Sequence, residues 1–400
     1  MPPTSQSPHP ERTVPDRCPG VLRLIEAADG HLARVRLPGG YVTAEQLRAL
    51  ARLAGEMGDG RVELTSRGNV QLRALAADAG ARLAGELMAA GLLPSLDHDR
   101  VRNVLASPLA GLGDGPDLAP VVRALDAGLC ARPRLARLSG RFLFAVDDGR
   151  GDVAGLGADV VAVVRAGGAR VNGLAVSGLA PGPDDVAAVM LAFAEAFLDE
   201  GAGLAPPPWR IADLPGGAGR VRDVVAGRLG LAAAPTAGAT GATPAPAALA
   251  ARSATRPVGI VSPRPAGEGA AVVLLAPLGR LTGAQLSWLA RQLGATPARV
   301  TPWRSVVLPG VAGAAGVLRE AAGLGFGVDA ASPWLRVTAC AGRPGCASAH
   351  ADVQADAEGF AARWPGRIVH VSGCARHCGR PAATEVDVTA TSEGYEVAGA

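Results

Sequence analysis

Apolar residues recur along this chain with two periods, and where one period gives way to the other the chain divides into units. Leu32 to Leu37 and Ala271 to Leu275 are short extended apolar segments, each followed by a Thr and then by apolar residues at helical spacing. In the first copy these are Thr43 and then Leu47, Leu50, Ala51 and Ala54; in the second they are Thr282 and then Leu286, Leu289, Ala290 and Leu293. A Thr at that point caps a helix, because its hydroxyl accepts from an otherwise orphaned N–H of the first turn. A second strand follows each helix. Leu37–Leu72 and Ala276–Leu308 therefore read as two copies of one unit, with Thr43, Gln46 and Leu47 matching Thr282, Gln285 and Leu286. Ala-rich and Leu-rich helices resemble one another by composition alone, but the shared order of cap, helix, strand and Arg favours duplication.

Between the copies, Arg141 to Gly149 alternates and ends in a turn, while Asp184 to Leu198 is helical with acidic residues at its start. Residues 95–225 are thus expected to form a separate α/β domain. Residues 231–257, poor in large apolar side chains and punctuated by Pro, Thr and Gly, read as a flexible linker. The repeats occupy 21–90 and 258–328, residues 1–20 read as disordered, and 329–400 ends in an alternating segment with a Ser-Glu-Gly turn, the signature of a hairpin.

Composition changes this picture in two respects. All 39 basic residues other than His are Arg, since no Lys occurs, so an Arg cannot be read as chosen over Lys and clusters of Arg are discounted. A net charge of +3 without a basic block argues against nucleic acid as a partner. The apolar run Ala270 to Leu278 is too short to cross a bilayer, and the N-terminus has no apolar core of a secretory signal, so a cytoplasmic protein without membrane contact is expected.

Four of the six cysteines fall in one window: Cys340 and Cys346 with five residues between them, Cys374 and Cys378 with three, and Cys18 and Cys130 elsewhere. Gly342, Gly345, Gly373 and Gly379, with Pro344 and Pro381, would let backbone N–H groups approach the sulfurs, as an iron–sulfur cluster requires. Cys340, Cys346, Cys374 and Cys378 are therefore expected to ligate a [4Fe–4S] cluster. A zinc site would ordinarily use closer pairs, and disulfides or buried inert thiols fit a reduced compartment and Gly-rich loops less well. His350, His370 and His377 stand near these cysteines as secondary candidates, either packing residues or donors.

The paired spacing of the cysteines resembles the cluster motif of the sulfite and nitrite reductase family. "ELTSRGNVQL" (Glu63 to Leu72) and "VRNVLASPLAG" (Val101 to Gly111) resemble two further elements of that family, and the order repeat, larger domain, repeat, cysteine domain is the same. The resemblance, over about 20–400, implies an α+β fold. Duplicated ferredoxin-like half-domains would pack together with two larger α/β domains, the second truncated. "LSGRFLFAVDDG" and "TACAGRPGCASAHADV" look most like the branch of the family that acts as a monooxygenase on a cobalamin precursor. Where siroheme reductases carry two lysines, this chain has Arg141, Phe142 and Leu143, and only 22 residues follow Cys378.

That likeness implies hydroxylation of a carboxylate-rich tetrapyrrole, precorrin-3A, using O₂ and NADH-derived electrons from a separate donor. An Fe–S centre moves electrons without inserting oxygen, so a mononuclear non-haem iron is expected beside the cluster, with siroheme the lesser expectation. Arg67, Arg102 and Arg141 match the family's active-site cations and are candidates to act on or grip the substrate, with Asn69, Gln71 and Asn103 adding neutral hydrogen bonds. A siroheme-dependent sulfite or nitrite reductase is the rival reading, and a zinc-stapled protein or electron carrier the second. No dinucleotide-binding Gly motif follows a strand, which agrees with a separate reductase partner.

Overall fold

Thr43 and Thr282 cap helices as their spacing predicts. Each hydroxyl accepts from the N–H three residues on, and the side chain of Gln46 or Gln285 returns the bond to the cap's own N–H, so both helices begin with the same reciprocal box. The computed structural model describes residues 16–113, 115–176, 181–231, 257–261 and 270–399. Its helices are α1 (Ala44–Met57), α2 (Ala79–Ala89), α3 (Ala119–Cys130), α4 (Pro183–Glu200), α5 (Gly217–Leu229), α6 (Gly283–Gln292), α7 (Ala314–Gly323) and α8 (Val353–Arg363).

The two repeats are built strand for strand alike, and they exchange one strand. The first sheet runs in the order Ile25–Ala27, Gly30–Val35, Val70–Leu75, Arg61–Leu64 and then Arg280–Thr282, which comes from the second copy. The second runs Gly259–Val261, Ala270–Leu275, Ser305–Val311, Ala298–Val300 and then Tyr41–Val42 from the first. The exchange brings backbones close: Gly40 has φ +75°, and a Cβ there would lie 2.0 Å from the carbonyl oxygen of Val300. Only Gly meets both conditions. Helices α1 and α6 pack against one another, and Leu47, Leu50, Leu286 and Leu289 join one core common to both copies.

The middle domain has parallel strands Val104–Ala106, Phe144–Asp147 and Val160–Arg165, continued antiparallel by Gly168–Val171 and Leu174–Ala175. Helices α3, α4 and α5 belong to it. The alternation read over 141–149 is not one of inside and outside. Phe142, Phe144 and Val146 pack toward the main core, while Leu143 and Ala145 pack with Leu105 and Val153 in a separate apolar cluster, so every position of the strand is buried.

The C-terminal domain repeats the scheme. Val337–Ala339, Val369–Ser372 and Val386–Thr391 are parallel, Gly394–Ala398 closes the hairpin, and α8 crosses over between the first two strands as α3 does in the middle domain. Asp16 to Gly20, within the segment read as disordered, are packed. The Asp16 carboxylate accepts from the N–H of Cys18 at 3.0 Å and of Gly140 at 2.8 Å, and from the Ser139 hydroxyl at 3.0 Å. The linker read at 231–257 lies outside the described residues except at its two ends. No helix among the described residues is long and apolar enough to cross a membrane.

Candidate functional site

Strand register sets a row of polar side chains across the first sheet. Arg34 stands opposite Gln71, Gln71 opposite Glu63, and Glu63 opposite Arg280. Arg34 Nε donates to Gln71 Oε1 at 3.0 Å, and Gln71 Nε2 donates to Glu63 Oε2 at 3.3 Å. Arg280 continues the row, donating from Nη2 to Asp59 at 3.1 Å and from Nη1 to Gln354 at the start of α8. Gln354 Nε2 in turn donates to the carbonyl of Cys340 at 3.1 Å. One polar row therefore joins the face of the first sheet to the cysteine loops, its Glu63–Arg280 step an ion pair at 3.7 Å and the others hydrogen bonds.

At the Arg34 end, cations gather where the first repeat meets the middle domain. Arg67 projects from the turn Thr65–Asn69 and donates to the Gly140 carbonyl at 3.2 Å. Cys18, Arg141, Arg210 and Asp159 lie within its electrostatic reach. Burial lowers the pKa values of Arg34 and Arg67; the Arg67 charge adds to the fall at Arg34, and the charges of Arg210 and Arg141 add to it at Arg67. Neither pairs with a carboxylate among the described residues. Arg210 donates to Asp159 at 2.6 Å, and the Arg141 guanidinium lies 4.6 Å from the Trp209 ring centroid. Burial raises the pKa of the Cys18 thiol, and the nearby Asp16 adds to the rise.

The structure thus brings together Arg67, Gln71 and Arg141, and leaves out the other three expected contacts. Arg102 forms a fork with Asp126, both bonds 2.7 Å, and its side chain is 5% exposed. Asn69 Oδ1 accepts from the Leu37 N–H at 3.0 Å, and its amide donates to Asn103 at 3.3 Å. Asn103 donates to the carbonyls of Arg100 and Gly140 at 3.0 and 3.1 Å. These groups are used in joining the first repeat to the middle domain. Arg36 does the same work: it is 2% exposed, donates to the carbonyls of Pro19, Arg34 and Arg100, and burial lowers its pKa to about 9. Arg34 and Arg210 were not singled out in the sequence. Alternation in "HLARVRL" placed Arg34 opposite the core-facing Ala33 and Val35, and that was its only local signal.

Two of the cysteines, Cys340 and Cys374, stand at the carboxyl ends of two neighbouring parallel strands. Cys340 directly follows Val337–Ala339 and its N–H donates to the Val371 carbonyl at 3.0 Å; Cys374 follows Val369–Ser372 by one residue. The Gly373 N–H donates to Cys340 Sγ at 3.1 Å, and a Cβ on Gly373 would lie 2.7 Å from that of Ala349 and 3.4 Å from that sulfur. His377 has φ +48° in the turn between Cys374 and Cys378. A single zinc would hold its sulfurs about 3.8 Å apart, from a bond of about 2.3 Å and tetrahedral angles. No three of the four cysteines bring their sulfurs within 4.8 Å of one another. The backbone donor on sulfur and the close glycine packing fit the surroundings of an iron–sulfur cluster.

His370 is buried, with Nδ1 2.8 Å from the Thr338 hydroxyl, and burial lowers its pKa to about 4, so it is neutral at pH 7. His350 is exposed and serves through its backbone, donating to the Gly373 carbonyl at 2.8 Å. Among the described residues, the one close group of three possible metal-binding side chains is Asp147, Asp148 and Asp152. Asp147 accepts four backbone N–H bonds, Asp148 pairs with Arg150, and Asp152 accepts from Ser107. With no His among them, they do not fit the two-His, one-carboxylate set of a mononuclear iron.

Comparison with known proteins agrees with this architecture. Residues 25–90 match the nitrite/sulfite reductase ferredoxin-like half domain. A precorrin-3B synthase from a Sinorhizobium species is 28% identical over 398 residues, 94% of this chain and 81% of that one. A ferredoxin–nitrite reductase of Synechococcus elongatus is 33% identical over 127 residues, 30% of this chain and 25% of that one. The solved structure of the Mycobacterium tuberculosis NirA protein superposes with a TM-score of 0.63 and 19% identity, over 92% of this chain and 73% of that one. The chain has the NirA-like α+β fold with ferredoxin-like half-domains, and its resemblance to precorrin-3B synthase extends along nearly the whole chain.

Proposed function

We propose that this protein is a tetrapyrrole monooxygenase of the precorrin-3B synthase type. It would hydroxylate precorrin-3A at C20 and close a lactone from the ring A acetate, with a [4Fe–4S] cluster on Cys340, Cys346, Cys374 and Cys378. The carrying observation is the polar row from Arg34 through Gln71, Glu63, Arg280 and Gln354 to the Cys340 carbonyl, hydrogen-bonded at every step but the Glu63–Arg280 ion pair at 3.7 Å, with Arg67 and Arg141 beside its outer end. A substrate lined with acetate and propionate groups calls for several cations that can grip carboxylates in pairs of hydrogen bonds. Arg34 and Arg67, close together and without carboxylate partners among the described residues, are suited to that. Gln71 holds Arg34 in place, and Arg141 is oriented by Trp209.

The cluster, when bound, supplies single electrons, drawn from a separate NADH-dependent donor in this reading. One atom of O₂ enters the macrocycle and the other leaves as water, with two electrons and two protons consumed. Leu143 favours this reading over a siroheme reductase: it is 3% exposed inside an apolar cluster with Leu105, Ala145 and Val153, so its position offers no cation to a small anion. Anaerobic purification with iron, sulfide and tetrapyrrole analysis tests the reading. About four irons with labile sulfide, no siroheme, and loss of the cluster in Cys374→Ser are expected. Siroheme bands with nitrite or sulfite reduction would overturn the reading in favour of the reductase, and one zinc without sulfide would overturn the cluster.

A further inference from the structure

Arg73 lies on the same strand as Gln71 but reaches toward the other end of the cysteine loop. It is 9% exposed, and its guanidinium forms a fork with Asp29, Nε to Oδ2 at 3.0 Å and Nη2 to Oδ1 at 2.9 Å. The same Nη2 donates to the carbonyl of Gly345 at 3.1 Å, across 272 residues of chain and immediately before Cys346. The loop rests directly on the guanidinium, since a Cβ on Gly345 would lie 2.7 Å from Nη2. Pro309 occupies the matching position in the second repeat, so this tether exists on one sheet only.

We propose that Arg73, held by Asp29, is a positioning residue that anchors the Cys340–Cys346 loop and that the reduction potential of the cluster depends on the charges of Arg73 and Asp29 cancelling. The inference rests on the cluster reading above. Reduction adds negative charge to a centre already surrounded by thiolates, so a nearby cation favours it and a nearby anion opposes it. The side chains of Arg73 and Asp29 are only 10% and 12% exposed, so solvent screens them weakly, and while both are present their charges balance. Removing one partner leaves the other's charge uncompensated.

The test is a redox titration of the cluster's spectroscopic signal in anaerobically purified holoprotein. Arg73→Met should lower the potential and Asp29→Asn should raise it, each by about tenfold in the reduced-to-oxidised ratio at fixed solution potential, or about 59 mV for one electron. Arg73→Lys, which keeps the charge, should stay nearer to wild type than Arg73→Met. The double variant Arg73→Met/Asp29→Asn should return toward the wild-type potential while losing iron faster to a chelator, since the tether is gone. Should Arg73→Met not fold, the rise in Asp29→Asn carries the test. Unchanged potentials, or shifts of the same sign in both single variants, overturn the proposal. Wild-type protein without iron or sulfide overturns the cluster reading itself, so the two failures are distinguishable.

Discussion

The two sheets of the duplicated core have the same strands in the same order, yet one carries a polar row where the other is largely apolar. Arg34, Gln71, Glu63 and Arg280 on the first sheet correspond by register to Val273, Val307, Arg299 and Tyr41 on the second. Val273 and Val307 are each 1% exposed, and Arg299 is 5% exposed, with its guanidinium 5.4 Å from the Tyr41 ring centroid. Each sheet also grips the loop after the first strand of an α/β domain. Arg280 reaches the Cys340 carbonyl through Gln354, while Arg299 Nη1 donates directly to the carbonyls of Pro108 and Ala110 at 2.7 and 2.6 Å. In one half that loop carries thiols; in the other it begins at Ser107, close to the Asp147, Asp148 and Asp152 group. On the proposed function, duplication has left one interface for chemistry and one for packing.

If the division is right, equivalent positions respond differently to substitution. The largest effect is expected for Arg299→Met, which leaves the carbonyls of Pro108 and Ala110 without their buried donor and removes the contact with Tyr41. It should cost about 3 kcal/mol of stability in denaturant unfolding, with tetrapyrrole affinity of the folded fraction unchanged. Arg67→Ala should do the reverse: precorrin-3A affinity falls by about 10- to 100-fold, as expected for the loss of a charge-assisted hydrogen bond of about 1.5–3 kcal/mol. Its unfolding midpoint should hardly move. Equal losses of stability in the two variants would break the comparison.

A smaller effect concerns the loops. Burial, with the charges of Asp147 and Asp148, pushes the pKa of Asp152 up to about 6, against the Ser107 bond that lowers it. The folded protein then holds this proton at pH values where the unfolded chain, with its ordinary value of 3.8, has lost it. This group's contribution to stability therefore falls as pH rises from 3.8 to about 6. Asp152→Asn should remove that slope and stabilise the protein by about 1–2 kcal/mol at pH 7 relative to wild type. Urea midpoints at pH 5 and pH 7 would show it, and an unchanged slope in the variant would take Asp152 out of the account.

The parts legible in the sequence are those set by neighbours along the chain. Thr43 with Gln46 and Thr282 with Gln285 announce their helices because a cap and its partner lie three residues apart, and the final hairpin shows in its alternation and turn. The strand exchange was not legible, since nothing in "YV" at Tyr41–Val42 names its partner Ala298–Val300. The polar row was missed for a related reason. Its four members become neighbours only through register, and in a chain without Lys an isolated Arg34 carries little signal. Arg102, Asn69 and Asn103 stand in motifs that resemble the family's, but a motif does not say whether a polar group faces a ligand or a neighbouring domain.

The central claim is that the cation-lined face of the first sheet presents a tetrapyrrole for oxygenation. It is tested most directly by incubating anaerobically purified holoprotein with precorrin-3A, a reductant and ¹⁸O₂, and weighing the product. The account predicts a product carrying one ¹⁸O atom, formed by wild type and strongly reduced in Arg67→Ala. Unchanged precorrin-3A beside active nitrite or sulfite reduction would contradict it.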